Sequence, residues 1–329
     1  MRRFHKSLLA AGLVLAACAV QAQDTVRVQD YPGLGNMLLR VAIANGYCDK
    51  RGIKCEAKTI PAAPLAVQTL LAGDLDLAMA PPEVVIQAAN KGADLRIVGN
   101  GARNPVFFLM AGAALDTPNA AKGYPAVMQD FKGRKIGVTA RGSAAEFQLV
   151  DLLKGAGLKS DDVTIVAVGA PNTAFPAIAN KQIDGLMLFG PMDGFCEVTK
   201  ACRVVVDPRK GQGPTDILKL TGASVVLVAR ADYTAKNGKA LDALAGALRE
   251  AEAFIQAPAN YAAVLKVAQD TGKINAPGGD QILDISLRNA LPTFRFGLDP
   301  AALQHAAEYL HRSGQVDKLI DTTRLMQLR

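Results

Sequence analysis

The chain has 329 residues, half of them apolar, and 37 Lys and Arg against 30 Asp and Glu give a formal net charge of +7. Arg2, Arg3 and Lys6 stand in the first six residues, and the remaining excess of about +4 is dispersed, which argues against a nucleic-acid-binding surface. Beyond residue 22 no uninterrupted apolar run approaches the ~18 residues of a membrane span.

In chain order the first element is a leader over residues 1–22. It has a positive start, an apolar run from Leu8 to Ala17, and small residues at the third and first positions of Val20-Gln21-Ala22. This pattern reads as a secretory signal cut after Ala22, too short for a stable anchor. The alternative is lipid attachment at Cys18, because Leu15-Ala16-Ala17-Cys18 fits a lipoprotein box. The expected location is the periplasm, or its membrane face if Cys18 carries a lipid.

A strand–helix–strand–helix–strand unit follows, and it occurs twice. In the first copy Thr25–Asp30 is a strand, Met37–Asn45 a helix closed by Gly46, Ile53–Ile60 a strand, Pro64–Ala72 a short helix, and Leu75–Ala80 a strand meeting Pro81. Further strands are expected at Leu95–Gly99 and Val106–Ala111. The second copy runs through Lys135–Thr139, a helix from Ala144 to Lys154, Val163–Val168, a helix through Pro176 to Asn180, and Ile183–Phe189 before Gly190-Pro191. Leu75-Asp76 and Ile183-Asp184 open the last strand of each copy. Ala223–Ala229 then reads as a strand returning to the first lobe, and four amphipathic helices over 238–257, 259–271, 279–291 and 300–313 complete the chain.

This order predicts an α/β fold of two lobes, each a mainly parallel sheet flanked by helices, joined by a two-segment hinge. The first lobe takes residues 23–112 and 223–329, and the second is inserted as residues 113–222. Cys48 with Cys55 and Cys196 with Cys202 each span a short turn in an exported chain, so two local disulfides are expected. Zinc is the weaker reading, because the spacings are wide and no histidine lies nearby.

The segments Leu71-Ala-Gly-Asp-Leu-Asp-Leu-Ala-Met-Ala-Pro81, Lys132-Gly-Arg-Lys-Ile-Gly-Val-Thr-Ala-Arg-Gly-Ser143 and Gln182-Ile-Asp-Gly-Leu-Met-Leu-Phe-Gly-Pro191 carry a family likeness. With the duplicated unit and the helical tail, the chain resembles the nitrate, sulfonate and taurine family of substrate-binding proteins from ATP-driven importers, over essentially all of residues 23–329. The resemblance implies the type II periplasmic-binding-protein fold, a small-molecule ligand, and a membrane permease with its ATPase subunit as partner. It implies no enzymatic activity and no cofactor, and a monomer is expected. One departure is Gly190, where the family often has an acidic residue.

Ligands in such sheets bind beyond the carboxyl ends of strands, which singles out four loops. Tyr31 offers a stacking face in the first, and Asn36 either caps the helix or bonds the ligand. In the second, Pro81, Pro82 and Glu83 start a helix, where Glu83 either meets a ligand amine or hydroxyl or only complements the helix end. The third runs through Arg141, Gly142, Ser143 and Ala144. Helix-start amides with an arginine and a hydroxyl make an oxyanion receptor there, compatible with a Ser143–Glu146 capping box. Phe189 and Pro191 mark the fourth. The expectation is capture of a small organic anion such as a sulfonate or carboxylate. The alternatives are a neutral heterocycle such as a pyrimidine precursor, an exported ligand-sensing module, or an enzyme like those of pyrimidine biosynthesis, which the export signal disfavours. His305 and His311, six residues apart, point to different helix faces and suit no shared metal. No nucleophile elbow, His-Glu-x-x-His or phosphate-loop lysine occurs.

Overall fold

Two lobes of one design organise residues 23–329, the part described by the computed structural model, with a two-stranded and a three-stranded sheet in the first and a five-stranded sheet in the second. The leader expected over residues 1–22, with Cys18, lies outside the described residues. The first unit is β1 (Asp24–Asp30), α1 (Met37–Ala44), β2 (Ile53–Thr59), α2 (Ala63–Ala72), β3 (Ala78–Ala80), α3 (Pro82–Asn90) and β4 (Leu95–Ala102). The chain then crosses to β5 (Phe108–Gly112), β6 (Lys135–Val138), α4 (Ala144–Gly155), β7 (Thr164–Ala167), α5 (Pro171–Ala179), β8 (Gly185–Leu188), α6 (Met192–Thr199) and β9 (Cys202–Val206). After α7 (Thr215–Leu218) it returns as β10 (Val225–Arg230). It ends in α8 (Ala231–Lys236), α9 (Gly238–Gln256), α10 (Tyr261–Thr271), α11 (Gly279–Ala290) and α12 (Pro300–Arg312).

In the first lobe β2 pairs with β1, a single Val28–Leu77 bridge joins β1 to the β3 edge, and β10 lies between β3 and β4. The second lobe repeats the order as β7-β6-β8-β5-β9. Its match to the first is atomic at one point. The Arg27 amide donates to Asp76 Oδ2 at 2.8 Å, and the Lys135 amide donates to Asp184 Oδ2 at 2.8 Å.

Parallel pairing is confined to the strands linked by crossover helices, so the mainly parallel sheets expected from the sequence are in fact mixed. β5 and β10 arrive across the hinge rather than over a sheet face, and both run antiparallel to their neighbours. The expected boundary at residues 112/113 also moves. β5 pairs with β8 and β9 of the second lobe, so the first crossing falls between Ala102 and Phe108.

Nor does the C-terminal tail belong wholly to the first lobe, because α11 packs on α6 of the second. A Cβ built on Gly194 of α6 would lie 2.2 Å from the Ile282 carbonyl oxygen, so only glycine admits this approach. Asp193 holds the contact together, accepting from Ser286 Oγ at 2.6 Å and Asn289 Nδ2 at 3.0 Å.

Local chemistry fixes the elements. Asn36 caps α1 through the Leu39 amide, and Gly73 closes α2 at φ +90°, a left-handed conformation that glycine adopts without a Cβ clash. Val26, Leu70, Leu77 and Ile97 of the first lobe and Phe108, Ile136, Leu152 and Leu186 of the second are all fully buried. The expected disulfides are present. Cys48–Cys55 ties the turn after α1 to β2, and Cys196–Cys202 ties α6 to β9.

Candidate ligand-binding site

The carboxyl ends of β3, β6 and β8 converge between the lobes on a small cavity of ≈ 70 Å³. From the first lobe Tyr31 and Pro81 line it, and from the second Thr139, Ser143, Ala144 and Phe189. The Phe189 ring stands edge-on to Tyr31 at 5.7 Å between centroids and to Phe107 at 6.0 Å. Tyr31 is locked by its hydroxyl, which donates to the Met79 carbonyl at 2.7 Å, so it presents its ring to the cavity and not its polar tip.

The polar end is the start of α4. Ser143 is 2 % exposed, and its hydroxyl has no hydrogen-bond partner in the protein. The Glu146 and Phe147 amides bond back to Ser143 O, while those of Ala144 and Ala145 are orphan donors of the first turn. Together with the helix dipole they suit an acceptor atom on a ligand.

Arg209, in the turn after β9, is the one charged residue lining the cavity among the described residues. Each nitrogen of its guanidinium holds a carboxylate oxygen. Nε and Nη2 donate to the two carboxylate oxygens of Asp207 at 2.8 and 2.9 Å, Nη1 donates to Asp193 at 2.9 Å, and the plane lies over Phe108 at 4.1 Å. Two buried carboxylates against one arginine leave no uncompensated positive charge facing the cavity.

Several expected site residues lie elsewhere. Arg141 has a side chain 62 % exposed, pairs with Glu146 at 2.8 Å and donates to the Ile165 carbonyl, so it faces an outer groove. Glu146 accepts from the Gly142 amide at 2.6 Å rather than from Ser143, which occupies that amide and leaves the expected capping box unformed. Asn36 spends both polar atoms on the Leu39 amide and Gln29 carbonyl. Pro82 is buried in the first turn of α3, outside the cavity. Glu83 is fully buried behind that wall and takes a hydrogen bond from Gln148 Nε2 at 2.9 Å. Pro191 lines a separate open groove of ≈ 590 Å³ with Gly33 and Lys273.

The sequence reading missed Phe107, Arg209 and Phe294. A signal existed for two of them. β9 runs parallel to β8 through their shared antiparallel neighbour, so its carboxyl end, and the start of β5, open on the same edge. Phe294 arrives from the tail after α11, where no strand-end rule applies.

A family model described as NMT1/THI5 like matches residues 36–260. A protein of Brucella abortus (strain 2308) named as a binding protein is 27% identical over 257 residues, covering 77% of this chain and 74% of that one. Among solved structures, the alkanesulfonate-binding protein SsuA from Xanthomonas axonopodis pv. citri, bound to MOPS, superposes with a TM-score of 0.74 at 19% identity over 93% of this chain and 98% of that one. The nitrate-binding protein NrtA from Synechocystis PCC 6803 gives 0.69 at 14% identity over 92% and 84%. At these identities the structural likeness is one of fold, and that fold is the two-lobe periplasmic-binding-protein architecture.

Proposed function

Proceeding from the fact that this chain belongs to the NMT1/THI5-like family, we propose that it is the exported solute-binding component of an ATP-driven importer, closing its two lobes around a small uncharged organic molecule. Its ligand has a flat, largely apolar body and one hydrogen-bond acceptor, as a neutral heterocycle does. The observation that carries this reading is the cavity wall, with aromatic and aliphatic faces, a single polar end at Ser143 and Ala144, and an arginine cancelled by Asp193 and Asp207. The anionic ligand expected from the sequence rested on the helix-start amides and Ser143 together with Arg141, and the place of Arg141 on the outer face removes the cationic part of that support. No catalytic role is assigned to any lining residue, and delivery of the ligand to a permease is part of the same proposal, supported by the two-lobe design.

A second reading keeps an anion, held by the α4 amides alone. The helix start favours it, and the alkanesulfonate and nitrate ligands of the structural neighbours fit it. Melting shifts of the ligand-stripped protein separate the two, because a ligand that binds only the folded form raises its stability. Neutral pyrimidines and related heterocycles are expected to raise the midpoint, and alkanesulfonates, carboxylates and nitrate to leave it unchanged. Stabilisation by the anions alone would replace the first reading by the second. Asp193→Asn combined with Asp207→Asn, which leaves the Arg209 charge without a carboxylate partner, is expected to turn anions into stabilisers. Mass spectrometry of the exported protein checks the leader, with Gln23 expected first and a lipid on Cys18 as the alternative.

A further inference from the structure

We propose that Glu83 and Gln148 form an interlobe proton-binding site, in which closing the lobes places one proton on Glu83 and joins it to Gln148 as a two-way acid–amide pair. Glu83 is the second residue of α3 on the first lobe and is 0 % exposed, and Gln148 sits in α4 on the second lobe at 3 %. Gln148 Nε2 donates to Glu83 Oε1 at 2.9 Å, which makes this a direct hydrogen bond between lobes.

The remaining atoms of the pair carry the argument. Glu83 Oε2 and Gln148 Oε1 are both buried with no hydrogen-bond partner. Two orphaned acceptors, one on each partner of an existing bond, describe a missing donor, and a carboxylic acid proton supplies it. Ionised, Glu83 would be a buried carboxylate holding a single side-chain bond, a costly arrangement. Protonated, it donates through one oxygen and accepts through the other. The pairing does not depend on which way the amide is turned, because either orientation offers one donor and one acceptor.

The surroundings favour the proton. α4 also contributes Asp151, and α12 contributes the Tyr309 hydroxyl, which lies near both Glu83 and Asp151 and has no hydrogen-bond partner. α2 brings no titratable group against α3, and β10 only Arg230, whose guanidinium is taken by the Leu70 carbonyl and Asp232. Farther out, Asp216 pairs with Arg312 at 2.9 Å and His305 at 3.2 Å, and Lys154 tempers Asp151. No ion pair reaches Glu83 among the described residues. Burial pushes its carboxyl up to about 7, with the Asp151 charge acting the same way and the Gln148 and backbone bonds opposing.

When the lobes part, Gln148 leaves with α4, and Glu83 meets water and returns toward an ordinary carboxylate. Closure then takes up a proton, and by linkage acid favours the closed form. The inference rests on the lobe closure proposed above but not on the identity of the ligand, so it is tested without one.

Small-angle scattering of the exported chain is recorded across pH, with circular dichroism to certify the fold. The wild type is expected to become more compact as pH falls, with the change lying between the ordinary carboxyl value of 4.5 and about 7. Glu83→Gln, a permanently neutral near-isostere, is expected to stay compact and flat over that range. Gln148→Glu requires a further proton for closure and is expected to move compaction to lower pH. Infrared spectra should show a protonated carboxyl band at mildly acid pH in the wild type that Glu83→Gln lacks. A flat wild-type profile, an unchanged response in Glu83→Gln, or the absence of that band overturns the proposal.

Discussion

Ser143 and Arg141 stand two residues apart in one loop and have opposite fates. The backbone turns at Gly142, φ +72°, which sends the Arg141 side chain to the outer groove and the Ser143 hydroxyl to the cavity. Ser143→Ala is therefore expected to weaken the ligand by about 1 kcal/mol, the net worth of one neutral hydrogen bond, with little change in melting of the free protein. Arg141→Ala is expected to leave binding unchanged, and calorimetric titration of the two variants side by side checks both. The loop itself was legible from the strand, glycine and helix start. Which side chain points inward was not, because that depends on the path of a left-handed residue and on Glu146 claiming Arg141. The same limit applies to Arg209, whose neutralisation needs Asp193 from another element.

At the scale of elements, the repeat was readable because its strands and helices alternate in a fixed order, and the Asp76–Arg27 and Asp184–Lys135 amide bonds show why both copies keep an aspartate there. The two are unequal in energy. Asp76 is 4 % exposed and also accepts from the Arg27 guanidinium at 2.8 and 3.0 Å, whereas Asp184 is partly exposed and takes only amide bonding from Lys135. Asp76→Ala is expected to cost about 2 kcal/mol and Asp184→Ala about 1 kcal/mol in urea unfolding. Less legible were β5 and β10, since a strand that enters a sheet across a hinge carries the same apolar pattern as one that arrives over a crossover helix. The packing of α4 against α12 was equally hidden, and it has a pH signature. Burial pushes the Asp151 carboxyl up to about 6 from 3.8, with the Asp216 charge adding to the rise and Lys154 opposing it. A carboxyl raised in the folded state contributes stability that is whole below its unfolded value and lost as pH rises through the folded one. Thermal melts should therefore show Asp151→Asn more stable than wild type by roughly 1–3 kcal/mol at neutral pH and above, and equal to it in strong acid.

For the molecule as a whole, the question is what allows two lobes to meet, and Gly33 answers for one edge of the cleft. It lies in the loop after β1 at φ +85°, and a Cβ built there would stand 2.6 Å from Pro191 Cδ and 3.0 Å from the Gly190 carbonyl on the opposite lobe. Any side chain at this position meets two separate obstacles. The left-handed backbone costs an L-residue about 1–2 kcal/mol in every state of the protein. The clash with Pro191 exists only when the lobes are together, so it acts on closure alone. Gly33→Ala is expected to lower the urea midpoint modestly through the first effect, and to hold the lobes apart through the second. Scattering should then report a larger radius of gyration than wild type, and ligands that raise the wild-type melting midpoint should lose most of that effect. The backbone term alone cannot produce this pair of results. A variant that melts lower yet is as compact and as responsive to ligand as wild type would show that the lobes meet without the close approach at Gly33, and closure against Pro191 at this edge of the cleft would have to be abandoned.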